Sequence, residues 1–357
     1  VPRLLLRWLL GLPLMLAAPA PAAQPGAAAL PGVVAQAPSP LSQFPVARPL
    51  QGEVRRLRVI VMGDQGTGGS RQQRVAQAMR TLCAARGCDL GVGTGDNFYP
   101  AAPTTPRSAL FAQRFAALYG PLGFPFLMVA GNHDHSGPTP GDGRDPGGAE
   151  AQVAYARLNA QWVMPGRTYR APVGNLAEFF AVDTAPLAAA AAPLRPGDRP
   201  GGARDLAQRT WLGAALAQSS ARWKVVIGHH PLFSNGQHGD AGQYDGSAHP
   251  LRRGDAVRQL YRVACGRAEL LLSGHDHNLQ WFAPQPECPA TSSVVSGAAG
   301  QADSHHPGRR AAGAEVYGEL GFFYLTFTPE ALTAELYTVT DDGQPVRRGP
   351  SLALSSP

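Results

Sequence analysis

Metal-ligand residue types follow glycine where short apolar runs end, at Gly63-Asp64, Gly95-Asp96, Gly131-Asn132-His133-Asp134, Gly228-His229-His230 and Gly274-His275-Asp276-His277. Carboxylate, amide and imidazole together suit a borderline or hard transition ion, and their number is enough for two ions with positions left for water and substrate. A single aspartate after a strand is ordinarily a cap or turn residue, and a single histidine an ordinary surface or core group. Five such strand ends are hard to explain by capping, so the pattern predicts a dinuclear metal site. Glycine before each ligand fits a backbone that turns sharply as it leaves a strand and lets a small ion come close.

Residues this far apart in sequence meet only if the strand ends share one edge, as they do when strands cross over through helices. The chain alternates in that way from about Val54. Leu57 to Met62 reads as a buried strand, and Gln72 to Ala84 as a helix with Val75, Met79 and Leu82 on one face. Leu90 to Val92 begins a second strand, Ser108 to Leu118 a second helix, and Phe126 to Ala130 a third strand. Phe179 to Val182, Lys224 to Ile227 and Leu270 to Leu272 continue the series. Phe322 to Phe327 and Ala331 to Val339, with a turn at Pro329-Glu330, read as an antiparallel hairpin. Ser136 to Gly148 and Ala185 to Ala203 are rich in Gly, Pro or Ala without periodicity and read as surface excursions.

The chain has 357 residues, 44% of them hydrophobic, which is a globular composition with room for one large domain. Its net charge of +6 comes almost wholly from arginine, with Lys224 the only lysine. No basic run with interleaved aromatics marks a nucleic-acid groove, so small phosphorylated molecules are the expected partners and nucleic acid is not. Arg3 and Arg7 precede an apolar stretch from Trp8 to Ala18 and an Ala20-Pro21-Ala22 processing site, the order of a secretory signal peptide. The apolar stretch is shorter than the ~20 residues of a spanning helix. Residues 1–23 are therefore expected as a signal peptide, 24–52 as a Pro/Ala-rich linker, 53–345 as the folded domain and 346–357 as a tail. No membrane span is expected to remain after cleavage, and the mature protein is expected in the periplasm or outside the cell as a monomer. Cys83 with Cys88 and Cys265 with Cys288 is the shortest of the three possible disulfide connectivities, and export favours disulfides over thiols. Gly91 to Gly95 lacks the following helix of a dinucleotide loop. His305-His306 beside Arg309-Arg310 reads as a solvated loop.

In order, the motifs GD, GDN, GNHD, GH and GHDH from Gly63 to His277 resemble the calcineurin-like metallophosphoesterases, and the resemblance covers nearly all of the folded part. Most members carry a histidine two residues after the first aspartate, where this chain has Gly66. Tyr99, three residues after Asp96 in Gly95-Asp96-Asn97-Phe98-Tyr99, is similar instead to the purple acid phosphatase tyrosine that binds ferric iron. A phenol has an ordinary pKa of ~10, and a trivalent ion is strong enough to hold it as phenolate. The other reading of Tyr99 is an aromatic wall of the cleft.

The resemblance implies an α/β, four-layer αββα sandwich of two mixed β-sheets flanked by helices. It implies a dinuclear centre with Fe(III) on Asp64, Tyr99, His277 and the bridging Asp96. A divalent ion (Fe, Zn or Mn) would sit on Asp96, Asn132, His229 and His275. It further implies hydrolysis of phosphomonoesters at acid pH by a metal-bound hydroxide, with His133 protonating the leaving alkoxide. His238, in Gln237-His238-Gly239, matches a second substrate-side histidine of the small, tartrate-resistant type. Trp162 to Pro165, Phe179 to Thr184 and His275 to Gln280 match that type too. The 185–203 stretch stands where those enzymes carry a protease-sensitive inhibitory loop, and His230 stands where a tyrosine is usual. Two other functions fit the same residues: a phosphodiesterase or nucleotidase on the same scaffold, and a non-catalytic iron-binding redox protein. The second has no use for a leaving-group acid such as His133.

Overall fold

In a computed structural model of the chain, residues 40–50, 52–304 and 308–355 are described. The expected signal peptide and His305-His306 lie outside them. In chain order the strands are β1 (Leu57–Met62), β2 (Leu90–Gly93), β3 (Phe126–Met128), β4 (Trp162–Val163), β5 (Tyr169–Val173), β6 (Ala177–Ala181) and β7 (Trp223–Ile227). They continue as β8 (Leu270–Ser273), β9 (Leu279–Phe282), β10 (Ser292–Ser296), β11 (Ala314–Val316), β12 (Gly321–Phe327), β13 (Ala331–Val339) and β14 (Pro345–Ser355). They form two seven-stranded mixed sheets, ordered β14-β13-β12-β1-β2-β3-β4 and β11-β9-β10-β8-β7-β6-β5.

Parallel strands occupy the middle of each sheet, β1 to β3 in the first and β6, β7, β8 and β10 in the second. A strand covered on both faces needs apolar side chains on both, and the alternation shows which face each one serves. In the second sheet Phe179, Ala181, Val225, Ile227, Leu270 and Leu272 join the large core shared with the first sheet. Their sequence neighbours Phe180, Val226 and Leu271 point the other way, into a second core with Trp211, Leu212, Leu260 and Tyr261. Those last residues belong to helices Ala203–Gln218 and Asp255–Arg262. Helix Ser70–Arg86 covers the outer face of the first sheet with Val75, Met79 and Leu82. The result is helix, sheet, sheet, helix, the four-layer α/β sandwich that the sequence leads one to expect.

Several local expectations change. The second helix runs over residues 109–119 and contains a π-helical segment, Ala112–Ala116. Ala185 to Ala203 is only partly a surface excursion, because Ala185, Pro186 and Leu187 are buried. Alanine without periodicity gives no hint of this, since its small side chain packs in any direction. The expected linker is built into the domain at its end: Ala47 donates its N–H to Arg170 O at 2.8 Å, and Phe44 packs edge-on against Trp211. Residues expected as a tail form β14, which pairs along β13. Among the described residues no helix is long and apolar enough to cross a membrane. Both disulfides pair as expected, Cys83 with Cys88 and Cys265 with Cys288.

The first turns of β1 and β2 are tied by one carboxylate. Asp89 Oδ2 accepts from the Arg58 N–H at 2.8 Å and Nε at 2.9 Å, while Oδ1 accepts from the second guanidinium nitrogen at 2.7 Å. Burial alone would raise the Asp89 carboxyl, but these bonds and the arginine charge outweigh it and hold it below its ordinary 3.8. A carboxyl depressed by folding stabilises the fold at pH values above its ordinary range and loses that contribution as pH falls through its folded value. Asp89→Asn should therefore lower stability by about 1.5 kcal/mol near neutrality. In urea melts the gap to the wild type should close below pH 3.8. A gap that widens on acidification would contradict this.

Candidate metal centre

The five glycine-led segments leave the ends of β1, β2, β3, β7 and β8, and the two sheets bring those ends together. Asp64, Asp96 and His275 each take a left-handed backbone, with φ of 58°, 51° and 70°. Non-glycine residues rarely do so, and such strain gathers at functional sites. Gly95, at φ +100°, makes the expected sharp turn, while two of the other glycines serve a further purpose. A Cβ on Gly131 would collide with the Asp96 carboxylate, and one on Gly274 with Asp64 Oδ2. At these two positions it is the neighbouring carboxylate that needs the room.

Two groups of side chains share Asp96. In the first, the Tyr99 hydroxyl lies 3.0 Å from Asp64 Oδ1, 2.9 Å from Asp96 Oδ2 and 3.2 Å from His277 Nε2. In the second, Asn132 Oδ1 lies 2.9 Å from His229 Nε2 and 3.1 Å from His275 Nδ1. Asp96 Oδ1 is 3.5 Å from His229 Nε2, so the two Asp96 oxygens face different groups. Each group draws on both sheets.

Hydrogen bonding behind these atoms fixes what they offer. His229 Nδ1 donates to Thr94 O at 2.9 Å, and burial holds the ring below its ordinary 6.5 against the raising effect of Asp96. Its Nε2 thus carries a lone pair. Asn132 Nδ2 donates to Gly141 O at 2.9 Å, which turns Oδ1 toward the histidines. A lone pair, an amide oxygen and a carboxylate oxygen converge with no proton to share, and acceptors arranged so call for a cation. The first group has the same defect. One phenolic proton faces two buried carboxylates, and burial, then the charge of Asp96, pushes Asp64 well above its ordinary range. Burial and then the charges of Asp64 and Asp96 likewise push Tyr99 well up. Hard oxygens with imidazole nitrogens fit a pair of transition ions.

His133 Nδ1 is 2.6 Å from Pro100 O and can only donate to it, and the ring packs 4.4 Å from that of Tyr99. His238 stacks 4.1 Å from His275, with Nδ1 2.6 Å from Asp245 Oδ1. Burial would lower His238, but Asp245 and Asp276 outweigh it, so its charged form is favoured. All nine residues singled out from the sequence therefore stand at one place. His230 is there as well, with one nitrogen within 4.8 Å of nitrogens on His229 and His275. It offers no lone pair, however. The Thr184 hydroxyl accepts from the N–H of His229 and of His230, at 3.2 and 3.1 Å, so its own proton goes to His230 Nδ1 at 3.0 Å. The ring proton is then on Nε2, a donor, as a tyrosine hydroxyl would be.

Sequence reasoning missed the supports. Asp134 turns away from the cleft: Oδ2 accepts from the N–H groups of Asn97 and Gly131, and Oδ1 from Gln152 Nε2 at 2.7 Å. Burial, then Asp96, pushes it up to about 7. Asp276 binds the His238 N–H at 2.8 Å and the Ser234 hydroxyl at 2.5 Å, holding the His238 loop. A cavity of about 460 Å³ opens beside Asn132 and His275, walled by Ala188, Ala190, Tyr244 and Arg252. No sequence signal marks those wall residues.

Comparison with known proteins agrees with this geometry. The chain is 28% identical to tartrate-resistant acid phosphatase type 5 of Sus scrofa, over 63% of this chain and 65% of that protein. It is 30% identical to purple acid phosphatase 17 of Arabidopsis thaliana, over 62% of each. The match thus spans just under two thirds of these relatives. Human tartrate-resistant acid phosphatase type 5 matches at 27% over 77% of this chain and 82% of its own. Among solved structures the fold is similar to GAP50, the anchor in the inner membrane complex of Plasmodium, with a TM-score of 0.64, 18% identity and coverage of 85% and 90%. It is also similar to a dimetal phosphatase from Danio rerio, with a TM-score of 0.54, 11% identity and coverage of 84% and 99%. Residues 57–279 match the profile of the calcineurin-like phosphoesterases, and with these motifs at the ends of these strands the chain belongs to that family.

Proposed function

We propose that the protein is an exported acid phosphatase that hydrolyses small phosphomonoesters at a centre of ferric iron and a divalent ion (iron, zinc or manganese). Asp64, Tyr99, His277 and Asp96 would hold the ferric ion, and Asp96, Asn132, His229 and His275 the divalent one. The observation that carries this reading is the Tyr99 hydroxyl set among Asp64, Asp96 and His277, all within 3.2 Å. A centre of this kind supplies Lewis acidity toward phosphate oxygens and a nucleophile available at acid pH. His133, with Nδ1 committed to Pro100, leaves Nε2 as the atom that would face the departing alkoxide and protonate it. His238, held by Asp245, presents a favoured positive charge to a phosphate dianion, and His230 Nε2 adds a hydrogen-bond donor. The two disulfides support an oxidising compartment, in keeping with the signal-like residues 1–23.

Metal analysis of protein purified without chelator, with a visible spectrum and turnover of p-nitrophenyl phosphate near pH 5, tests the proposal. Two ions per chain including iron, a purple or pink colour and rapid turnover are expected. Faster hydrolysis of bis-p-nitrophenyl phosphate than of the monoester would point to a phosphodiesterase instead. Colour without turnover of either would point to a redox protein.

A further inference from the structure

Arg252, an exposed residue, is among those that line the cavity beside Asn132 and His275. Its backbone N–H is bonded to His249 O at 2.9 Å, but its side chain has no ion-pair or hydrogen-bond partner among the described residues. The arginines around it are engaged. Arg253 and Arg258 both bind Asp255, at 2.5 and 2.7 Å, Arg309 donates to Gly236 O at 3.0 Å, and Arg310 binds Asp240 at 2.7 Å. Asp245, the carboxylate on the same wall, is taken by His238. Among the described lining residues Arg252 is therefore a cation that no carboxylate pairs with. At about 460 Å³ the cavity also exceeds what a bare phosphate group needs, and it is large enough to seat the rest of a small metabolite.

We propose that Arg252 binds a second anionic group of the substrate, a carboxylate or another phosphate. The site then favours phosphomonoesters with two anionic ends over those with one. The inference rests on the phosphatase reading above and adds the substrate class to it. A guanidinium suits either anion because its planar fork pairs with two oxygens at once. Ala188 and Ala190, also in the lining, fit a neutral carbon spacer between the two ends.

The test is a set of kcat/KM ratios on the metal-loaded protein. Alkanediol bisphosphates and ω-phosphoalkanoates of two to six carbons are each compared with the alkyl phosphate of equal length. At the best length the wild type should favour the doubly anionic substrate by about tenfold, mostly through KM. Arg252→Met should bring the ratio near one, and Arg252→Lys should restore a good part of it. A higher ratio for bisphosphates identifies phosphate as the second group, and for phosphoalkanoates, carboxylate. Arg157→Met removes an equal charge from an exposed helix end and should leave the ratio in place, which separates a local contact from the overall charge of +6. A wild-type ratio near one at every length overturns the inference, as does a ratio that survives Arg252→Met. If none of the esters is turned over, the phosphatase reading fails on its own. Calorimetric binding of alkane bisphosphonates against alkylphosphonates then decides Arg252 by the same ratio.

Discussion

Asp96→Asn is expected to leave a folded protein with at most one ion per chain and to lower kcat/KM for p-nitrophenyl phosphate by about a thousandfold or more. Asp96 is the one side chain whose two oxygens face different groups, Oδ2 toward Tyr99 and Oδ1 toward His229. An amide of the same shape keeps one acceptor and turns the other into a donor, so one group or the other must receive an N–H where it needs a lone pair. Oδ1 also accepts the His133 N–H at 2.9 Å. That bond favours the amide oxygen on this side and puts the –NH2 against Tyr99 and Asp64. The first group, the one assigned to ferric iron, should therefore empty first. Metal content, circular dichroism and kinetics on one preparation decide the matter. Two ions retained with most of the activity would show that Asp96 does not bridge.

Tyr99→Phe is expected to abolish the visible band of the oxidised protein and weaken iron binding while the fold persists. A phenolate on ferric iron donates into half-filled metal orbitals, and removing its oxygen removes that absorption. The ring itself can stay, because it packs against His133 at 4.4 Å and meets His277 edge-on at 6.2 Å through its carbon face. Activity should fall less than colour, since neither His133 nor His238 depends on the hydroxyl for its own hydrogen bonds. A wild-type protein that contains iron but stays colourless when oxidised would remove the tyrosinate assignment. So would a band unchanged by the substitution.

The positions of the candidate ligands were legible in the sequence because two independent regularities coincide at them. Apolar runs that end in Gly-Asp, Gly-Asn or Gly-His mark both a strand terminus and a donor atom, and parallel strands of one sandwich must release their ends on one side. Direction within a segment was legible only through the family resemblance, not from the residue types. Asn132 and Asp134 are two residues apart with similar side chains, yet one faces the cleft and the other the interior, and only the tertiary contacts of Asn97 and Gln152 settle which. Helices Ala203–Gln218 and Asp255–Arg262 escaped notice for a related reason. The apolar residues of the first, such as Trp211 and Leu212, are diluted by alanine, and the second is only eight residues long. The wall around Arg252 is made by turns whose side chains meet only after folding, and turns carry no period to read.

In the proposed assignment each half of the centre would take donors from both sheets: Asp64, Asp96 and Tyr99 with His277, and Asp96 and Asn132 with His229 and His275. Neither sheet alone holds a complete set, so high-affinity capture has to follow docking of the two sheets and cannot template it. On that assignment the chain would reach its sandwich without the ions, with Asp64 and Asp96 both buried. An ion that arrived later would replace the proton favoured on Asp64 and tie the layers together like a rivet. Loss of the ions should then loosen the seam between the sheets before it disturbs either sheet, and amide exchange should quicken first in the loops after β1, β2, β7 and β8.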